Sequence, residues 1–215
     1  MIQPATKTKQ KTNQEIEIKI KTTNNYLQKL EAWLQENATF QGEEHHKEVY
    51  LDNPNTTFFF MRPNGLKDAL KYLRVRFLKQ GGSVCFKDWY EDPQTGKTTH
   101  CDEYETHVAN PEKMLALLEQ LGYTNKTFVE KKRRKFRAGD YEIVIDDVKN
   151  LGTFFEIELK RDFSDVQVAL KELTALLVKT IGITEYWIQT RGYASHLRNP
   201  GFEFGEYKIH EKQMP

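Results

Sequence analysis

The residues Glu15-Ile16-Glu17-Ile18-Lys19-Ile20-Lys21 alternate charged and apolar side chains with a period of two. That is the period of a β-strand, so Ile16, Ile18 and Ile20 share one face and Glu15, Glu17, Lys19 and Lys21 share the other. The pattern returns at Glu156-Ile157-Glu158-Leu159-Lys160. Each copy is followed by a helix pattern. After the first, Thr23 or Asn24 caps a helix with Tyr26, Leu27, Leu30, Trp33 and Leu34 at spacings of three and four. After the second, Ser164-x-x-Gln167 forms a capping box for a helix carrying Val166, Ala169, Leu170, Leu173, Leu176 and Leu177, stopped by Gly182.

The chain between these repeats is strand-rich. Lys47–Asp52, Tyr72–Leu78, Val84–Tyr90, His100–Val108, Phe128–Phe136 and Tyr141–Asp146 all suit strands. Tyr186–Gln189 suits a last short one. Asn110-Pro111 starts a third helix with Met114, Leu115, Leu117, Leu118 and Leu121, closed by Gly122. The order predicts an α+β domain with a mainly antiparallel sheet over residues 14–197. Residues 1–13 read as a disordered polar lead, and residues 198–215 as a loosely held tail. Phe58-Phe59-Phe60 reads as buried, and His45-His46 as part of a surface loop.

The polar strand faces carry Glu, Lys and Arg, with few Ser, Thr, Asn or Gln. Arg74 and Arg76 share a face, as do Glu103 and Glu105 opposite Lys87, Lys131 and Arg133, and Glu156, Glu158 and Lys160. Two arrangements fit. Either the sheet is open and its charged side solvated, or it closes around a charged interior with the helices outside. A closed, mixed cavity suits a polyphosphate with divalent cations, because carboxylates hold the cations and Arg and Lys hold the phosphate oxygens.

Charge balance narrows the partners. With 32 Lys+Arg against 31 Asp+Glu, the chain lacks the excess that coats nucleic acid or an anionic membrane. The basic run Lys131–Lys135 splits between both faces of its strand. No apolar run is long enough for a membrane helix, and the start has no apolar signal core. Cys85 and Cys101 read as reduced core thiols. These features predict a cytoplasmic protein whose partner is a small molecule, with neither nucleic acid nor membrane.

The ordered set Glu15-x-Glu17-x-Lys19, Tyr50-Leu51-Asp52, Leu73-Arg74-Val75-Arg76, Lys87, Glu103-x-Glu105, Lys131-x-Arg133, Asp146 and Glu156-x-Glu158 resembles the CYTH superfamily, the triphosphate tunnel metalloenzymes. The resemblance covers Gln14 to Leu197 and implies an eight-stranded antiparallel β-barrel tunnel with a charged interior and helices packed outside. It implies that Glu15, Glu17, Glu156 and Glu158 face Mg²⁺ or Mn²⁺, with Asp146 binding metal or water. Lys19, Arg74, Arg76, Lys87, Lys131 and Arg133 would grip a triphosphate, joined by Arg191. Lys87 and Asp146 would be catalytic, and Glu103 and Glu105 further tunnel acids. The branch most resembled, through His46-x-x-x-Tyr50-Leu51-Asp52 and the late Arg191-x-Tyr193, is the class IV adenylate cyclases. That branch has Arg-Ser-Tyr and a leucine pair where this chain has Arg191-Gly192-Tyr193 and Leu197. The family implies cyclisation of ATP, or alternatively hydrolysis of inorganic, nucleoside or thiamine triphosphate, by a monomer or homodimer.

Overall fold

The isoleucines of the opening repeat are at the base of the core. In a computed structural model, which describes residues 14–53, 55–94, 96 and 98–210, Ile16, Ile18 and Ile20 are buried. They belong to an apolar layer with Ile143, Ile145, Phe155, Ile157 and Leu159 of neighbouring strands. Two helices cover that layer. The first, α1 (Asn24–Asn37), is capped by Thr23, whose hydroxyl accepts from the Tyr26 amide. It lays Leu30 and Leu34 on the sheet. The second cover is α3 (Val166–Ala175), continued by a π-helical turn over Leu176–Thr180, which adds Ala169, Leu173 and Leu177. Its cap is Asp165, which accepts from Val168 N at 2.9 Å, and not Ser164 as the capping box predicts. A third helix, α2 (Pro111–Gln120), packs Met114, Leu115 and Leu118 against Val49, Leu51, Leu73 and Val75.

Among the described residues, thirteen strands are β1 (Gln14–Glu15), β2 (Glu17–Lys21), β3 (Thr39–Asp52), β4 (Phe59–Met61), β5 (Lys67–Ala69), β6 (Lys71–Phe77), β7 (Gly82–Glu91), β8 (Thr98–Val108), β9 (Thr124–Ala138), β10 (Tyr141–Val148), β11 (Gly152–Leu159), β12 (Glu185–Gln189) and β13 (Gly205–Ile209). Eleven of them form one sheet in the order β1-β8-β7-β6-β3-β9-β10-β11-β2-β12-β13, with every pairing antiparallel. The expected count of eight is exceeded for two reasons. The first alternating run is interrupted at Ile16, and its halves stand at opposite places in the order. Its start pairs with β8 through Glu15↔Cys101, and its end pairs with β11 through Ile18↔Ile157. Then β12 and β13 extend the sheet past β2.

Four expectations change. The tail forms β13, paired along β12, over Gly205–Ile209. His46 is buried within the continuous strand β3 and is no part of a surface loop, because the β3–β9 ladder runs from Thr39↔Arg137 to Asp52↔Thr124 and pairs His46 with Lys131. Residues 59–69 form a separate small hairpin, β4–β5, in which Phe60 is exposed. Finally, a short helix not foreseen from the sequence, α4 (Tyr193–Arg198), does not join the outer helices. It packs on the charged face, where Tyr193 and Ala194 meet Phe154, Val148 and Val129. The predicted lead, residues 1–13, lies outside the described residues.

Cys85 and Cys101 are both buried and free. Among the described residues no helix is long and apolar enough to cross a membrane.

Candidate functional site

Strand alternation that buries the isoleucines outward turns the charged partners onto one shared cavity of about 240 Å³. Each of β2, β3, β6, β7, β8, β9, β10 and β11 contributes to its wall. Glu15, Glu17, Lys19, Arg74, Arg76, Lys87, Glu103, Glu105, Lys131, Arg133, Glu156 and Glu158 all line it. Glu44, His46, Tyr50, Lys135, Glu142, Lys160 and Tyr193 line it as well, none of them expected as site residues from the sequence. Their signal was present for Lys135 and Lys160, which continue the alternation of β9 and β11. Tyr193 arrives on α4 and has no strand alternation to place it, although it stands in the Arg191-x-Tyr193 motif.

The acids concentrate on one side. Glu17 faces Glu158 across the β2–β11 ladder, and Glu142 faces Glu158 across β10–β11. Like charges directly opposite destabilise a sheet. The protein answers partly with lysines, Lys160 donating to Glu158 at 2.6 Å and Lys135 lying 2.8 Å from Glu142. Burial, reinforced by the Glu15 carboxylate, still pushes Glu158 up to about 8. Burial also raises Glu17, with Lys19 opposing and Glu156 and Glu15 adding to the rise. Lys87 Nζ donates to Glu15 Oε2 and lies 3.4 Å from Glu103.

The basic side is braced from behind. Asp146 is fully buried and does not line the cavity. It accepts from Lys131 Nζ at 2.9 Å, from Arg133 Nε at 2.7 Å and Nη2 at 2.5 Å, and from the Tyr193 hydroxyl at 2.9 Å. Burial works to raise its carboxyl, but Arg133 and Lys131 outweigh it and hold it ionised. Glu48 does the same for the neighbouring pair, accepting from Arg76 Nε at 2.9 Å and from the Tyr50 hydroxyl at 3.0 Å, with Arg74 at 3.5 Å. Glu156 joins the two sides. Lys19 lies 3.0 Å from it, Arg133 donates at 2.7 Å and the Tyr193 hydroxyl at 3.0 Å.

Burial lowers the lysine Lys131, and the adjacent Arg133 lowers it further, whereas acids around Lys19 and Lys87 overcome burial and raise both. His46 donates to the Glu44 carboxylate at 2.7 Å through Nε2, while its Nδ1 has no hydrogen-bond partner among the described residues, Glu48 Oε1 lying 3.9 Å away. Burial, with Arg76 beside it, drops the imidazole to about 4. It is therefore neutral near pH 7.

Arg191 is placed elsewhere. It is buried against Asp68, 3.0 Å from Oδ2, and also bonds Glu91 and the Thr190 carbonyl. Arg62 meets the same two acids. These contacts occupy the guanidinium in tying the β4–β5 hairpin to the β12–α4 connection, away from the expected grip on phosphate.

The donor chemistry suits a hard cation on the acidic side. Glu15, Glu17, Glu156 and Glu158 offer oxygen only, the ligand type that Mg²⁺ and Mn²⁺ prefer. A second group, Cys85, Glu103 and Glu105, has candidate ligand atoms within 4.8 Å of one another. It fits such an ion less well. Burial pushes the Cys85 thiol up to about 12, so it keeps its proton, and Glu105 already accepts from Ser83 and Arg74.

Among the described residues, eight acidic and eight basic side chains line the cavity. An antiparallel sheet that gathers alternating acids and bases around one pocket, with helices over its apolar side, defines an α+β protein with a charged cavity. The chain belongs to the CYTH family, whose domain model matches residues 13–185. It is similar to "Putative adenylate cyclase MJ0240" of Methanocaldococcus jannaschii, at 25% identity over 83% of this chain and 94% of that protein. Among solved structures it resembles the PH1012 protein of Pyrococcus horikoshii, with a TM-score of 0.66 at 24% identity, covering 86% of this chain and 99% of that one. It also resembles the "Putative adenylyl cyclase HpAC1" from Hippeastrum, described as revealing a dominant triphosphatase activity, with a TM-score of 0.58 at 18% identity over 86% and 94% of the two chains.

Proposed function

We propose that this chain is a divalent-metal-dependent enzyme acting on a triphosphate inside a closed, eight-stranded tunnel, and that its reaction is the cyclisation of ATP to cyclic AMP and pyrophosphate. The observation that carries the reading is the single cavity in which a cross-strand row of carboxylates faces a braced basic wall. Closure of the tunnel is supported by the split first strand, which gives Glu15 to β8 and Ile18 to β11. Counted once, that strand makes eight with β3 and β6–β11.

In this reading Glu15, Glu17, Glu156 and Glu158 hold Mg²⁺ or Mn²⁺, which when bound offsets phosphate charge and polarises the reacting P–O bonds. Lys19, Arg74, Arg76, Lys87, Lys131 and Arg133 hold the phosphate oxygens. Asp146 and Glu48 keep those cations aimed before substrate arrives, so little reorganisation is needed in the transition state. Asp146 is a positioning residue, since it is sealed from the cavity. Lys87, held protonated, serves the leaving pyrophosphate by charge and hydrogen bonding. In the reaction the ribose 3′-oxygen bonds to the α-phosphorus and the α–β bridging P–O bond breaks. The hydroxyl proton leaves to solvent or a cavity carboxylate.

A second reading, hydrolysis of a triphosphate by water, is favoured by the activity described for the Hippeastrum protein. The same positioned phosphates serve either nucleophile. Incubation with ATP and Mg²⁺ or Mn²⁺ separates the two. Cyclic AMP with stoichiometric pyrophosphate supports the cyclase, whereas orthophosphate without cyclic product rejects it in favour of hydrolysis. Glu17→Ala is expected to abolish metal-dependent turnover with an unchanged circular dichroism spectrum; full activity in that variant would remove the metal assignment.

A further inference from the structure

Among the described residues, the eleven-stranded sheet has one open edge. Its order begins at β1 and ends at β13. The β1 end runs on through Ile16 into β2, so the chain itself closes that side. The inner side of β13 pairs with β12, and no described strand pairs with its outer side. All of β13, and β12 beyond Glu185, lie past the residues that the CYTH model matches.

An open edge is a template for another strand, and soluble proteins commonly blunt it with a bulge or a proline. The segment Gly205-Glu206-Tyr207-Lys208-Ile209 has neither: it holds unbroken register with β12 and contains no proline. A lysine can also guard an edge, but here Glu206 lies 2.9 Å from Lys208 on the same face. The other face of this edge is apolar. Trp187, Tyr207 and Ile209 are all exposed there, the first two with their rings 5.3 Å apart.

The ladder fixes which backbone groups point outward. His210 N donates to the Thr184 carbonyl and Thr190 N to the Phe204 carbonyl. Alternation then turns Glu206 and Lys208 toward β12, and leaves the amides and carbonyls of Gly205, Tyr207 and Ile209 facing out. A second copy of this chain, added antiparallel, matches those groups about a two-fold at Glu206, Tyr207 or Lys208. Charge separates these registers, because like charges directly opposite are destabilising. A centre at Glu206 sets Glu206 against itself, and a centre at Lys208 does the same for Lys208. A centre at Tyr207 sets Glu206 opposite Lys208 twice, once on each side of the axis. It also places Ile209 over Gly205, which has no side chain to obstruct it.

We propose that β13 is a homodimer interface, in which two copies of the chain pair this strand antiparallel about Tyr207 and join their sheets edge to edge. The pairing lies outside the charged cavity and does not depend on the reaction carried out there.

The test is sedimentation velocity over a concentration series of the full chain and three variants. The unaltered chain is expected to be dimeric. Tyr207→Pro removes an outward N–H that β12 does not use, and is expected to be monomeric. Glu206→Lys and Lys208→Glu each make the facing charges alike, and each is expected to weaken self-association about tenfold. Mixed in equal amounts, those two variants are expected to form a heterodimer, since every facing pair is then of opposite charge. Recovery on mixing is a result that misfolded chains do not give. A monomeric unaltered chain overturns the proposal. So does a dimer that survives all three substitutions, which uses another surface, or a mixture that stays monomeric while thermal melts show both charge variants folded.

Discussion

Replacing Asp146 by Ala would strand two buried cations, Lys131 and Arg133, whose partner it is. Breaking a buried pair on one side costs about 3–5 kcal/mol, so Asp146→Ala should lose that much in urea unfolding, and Asp146→Asn less. His46 sets a pH dependence. Its folded pKa of about 4 lies below its ordinary 6.5. As pH falls through that window the unfolded chain takes up a proton that the folded chain refuses, so stability present above pH 6.5 is lost, by up to about 1.4 kcal/mol per pH unit. His46→Gln should flatten that slope in denaturant melts between pH 4.5 and 7. Twelve of the fourteen residues singled out by alternation and resemblance reach the cavity wall. The exceptions show what alternation leaves out. It gives the face on which Asp146 lies, but not that Lys131, Arg133 and Tyr193 seal it off. For Arg191 it says nothing of two acids contributed by β5 and β7.

The hairpin β6–β7 delivers Arg74, Arg76 and Lys87 together, and its close approach depends on Gly82. A Cβ there would lie 2.0 Å from the Arg76 carbonyl oxygen. Because that atom is backbone it cannot swing aside, so Gly82→Ala should destabilise by about 3 kcal/mol in urea unfolding and weaken triphosphate binding measured by calorimetry. Long alternating strands and well-capped helices were legible because their signals are local: Asn110 accepts from Lys113 N at 2.7 Å where the Asn-Pro start places the cap. The elements that escaped are short and held by distant partners. Helix α4 spans six residues and is fixed by contacts to Phe154 and Val129, while β13 is defined by pairing with β12. Neither carries a period long enough to see.

At the scale of the molecule, a cavity of matched opposite charges is costly to hold apart from water, and a ligand that binds only the folded state should raise its stability. Saturation with Mg²⁺ and triphosphate at about a hundred times Kd should add about 2.7 kcal/mol, read as a rise in melting temperature. Mg²⁺ and triphosphate added singly should give less than the pair; equal shifts would argue against a shared site. The overall α+β class followed from strand and helix order alone, whereas the pairing of strands distant in sequence did not. The run 14–21 is the extreme case, since its partners are Cys101, Ile157 and Ile188. During synthesis this segment emerges well before those partners and can be satisfied fully only after residue 188 has been made. Closing such long loops precedes any reward from the contacts, so folding should be slow, and the unpaired first strand is the part most open to wrong partners while it waits.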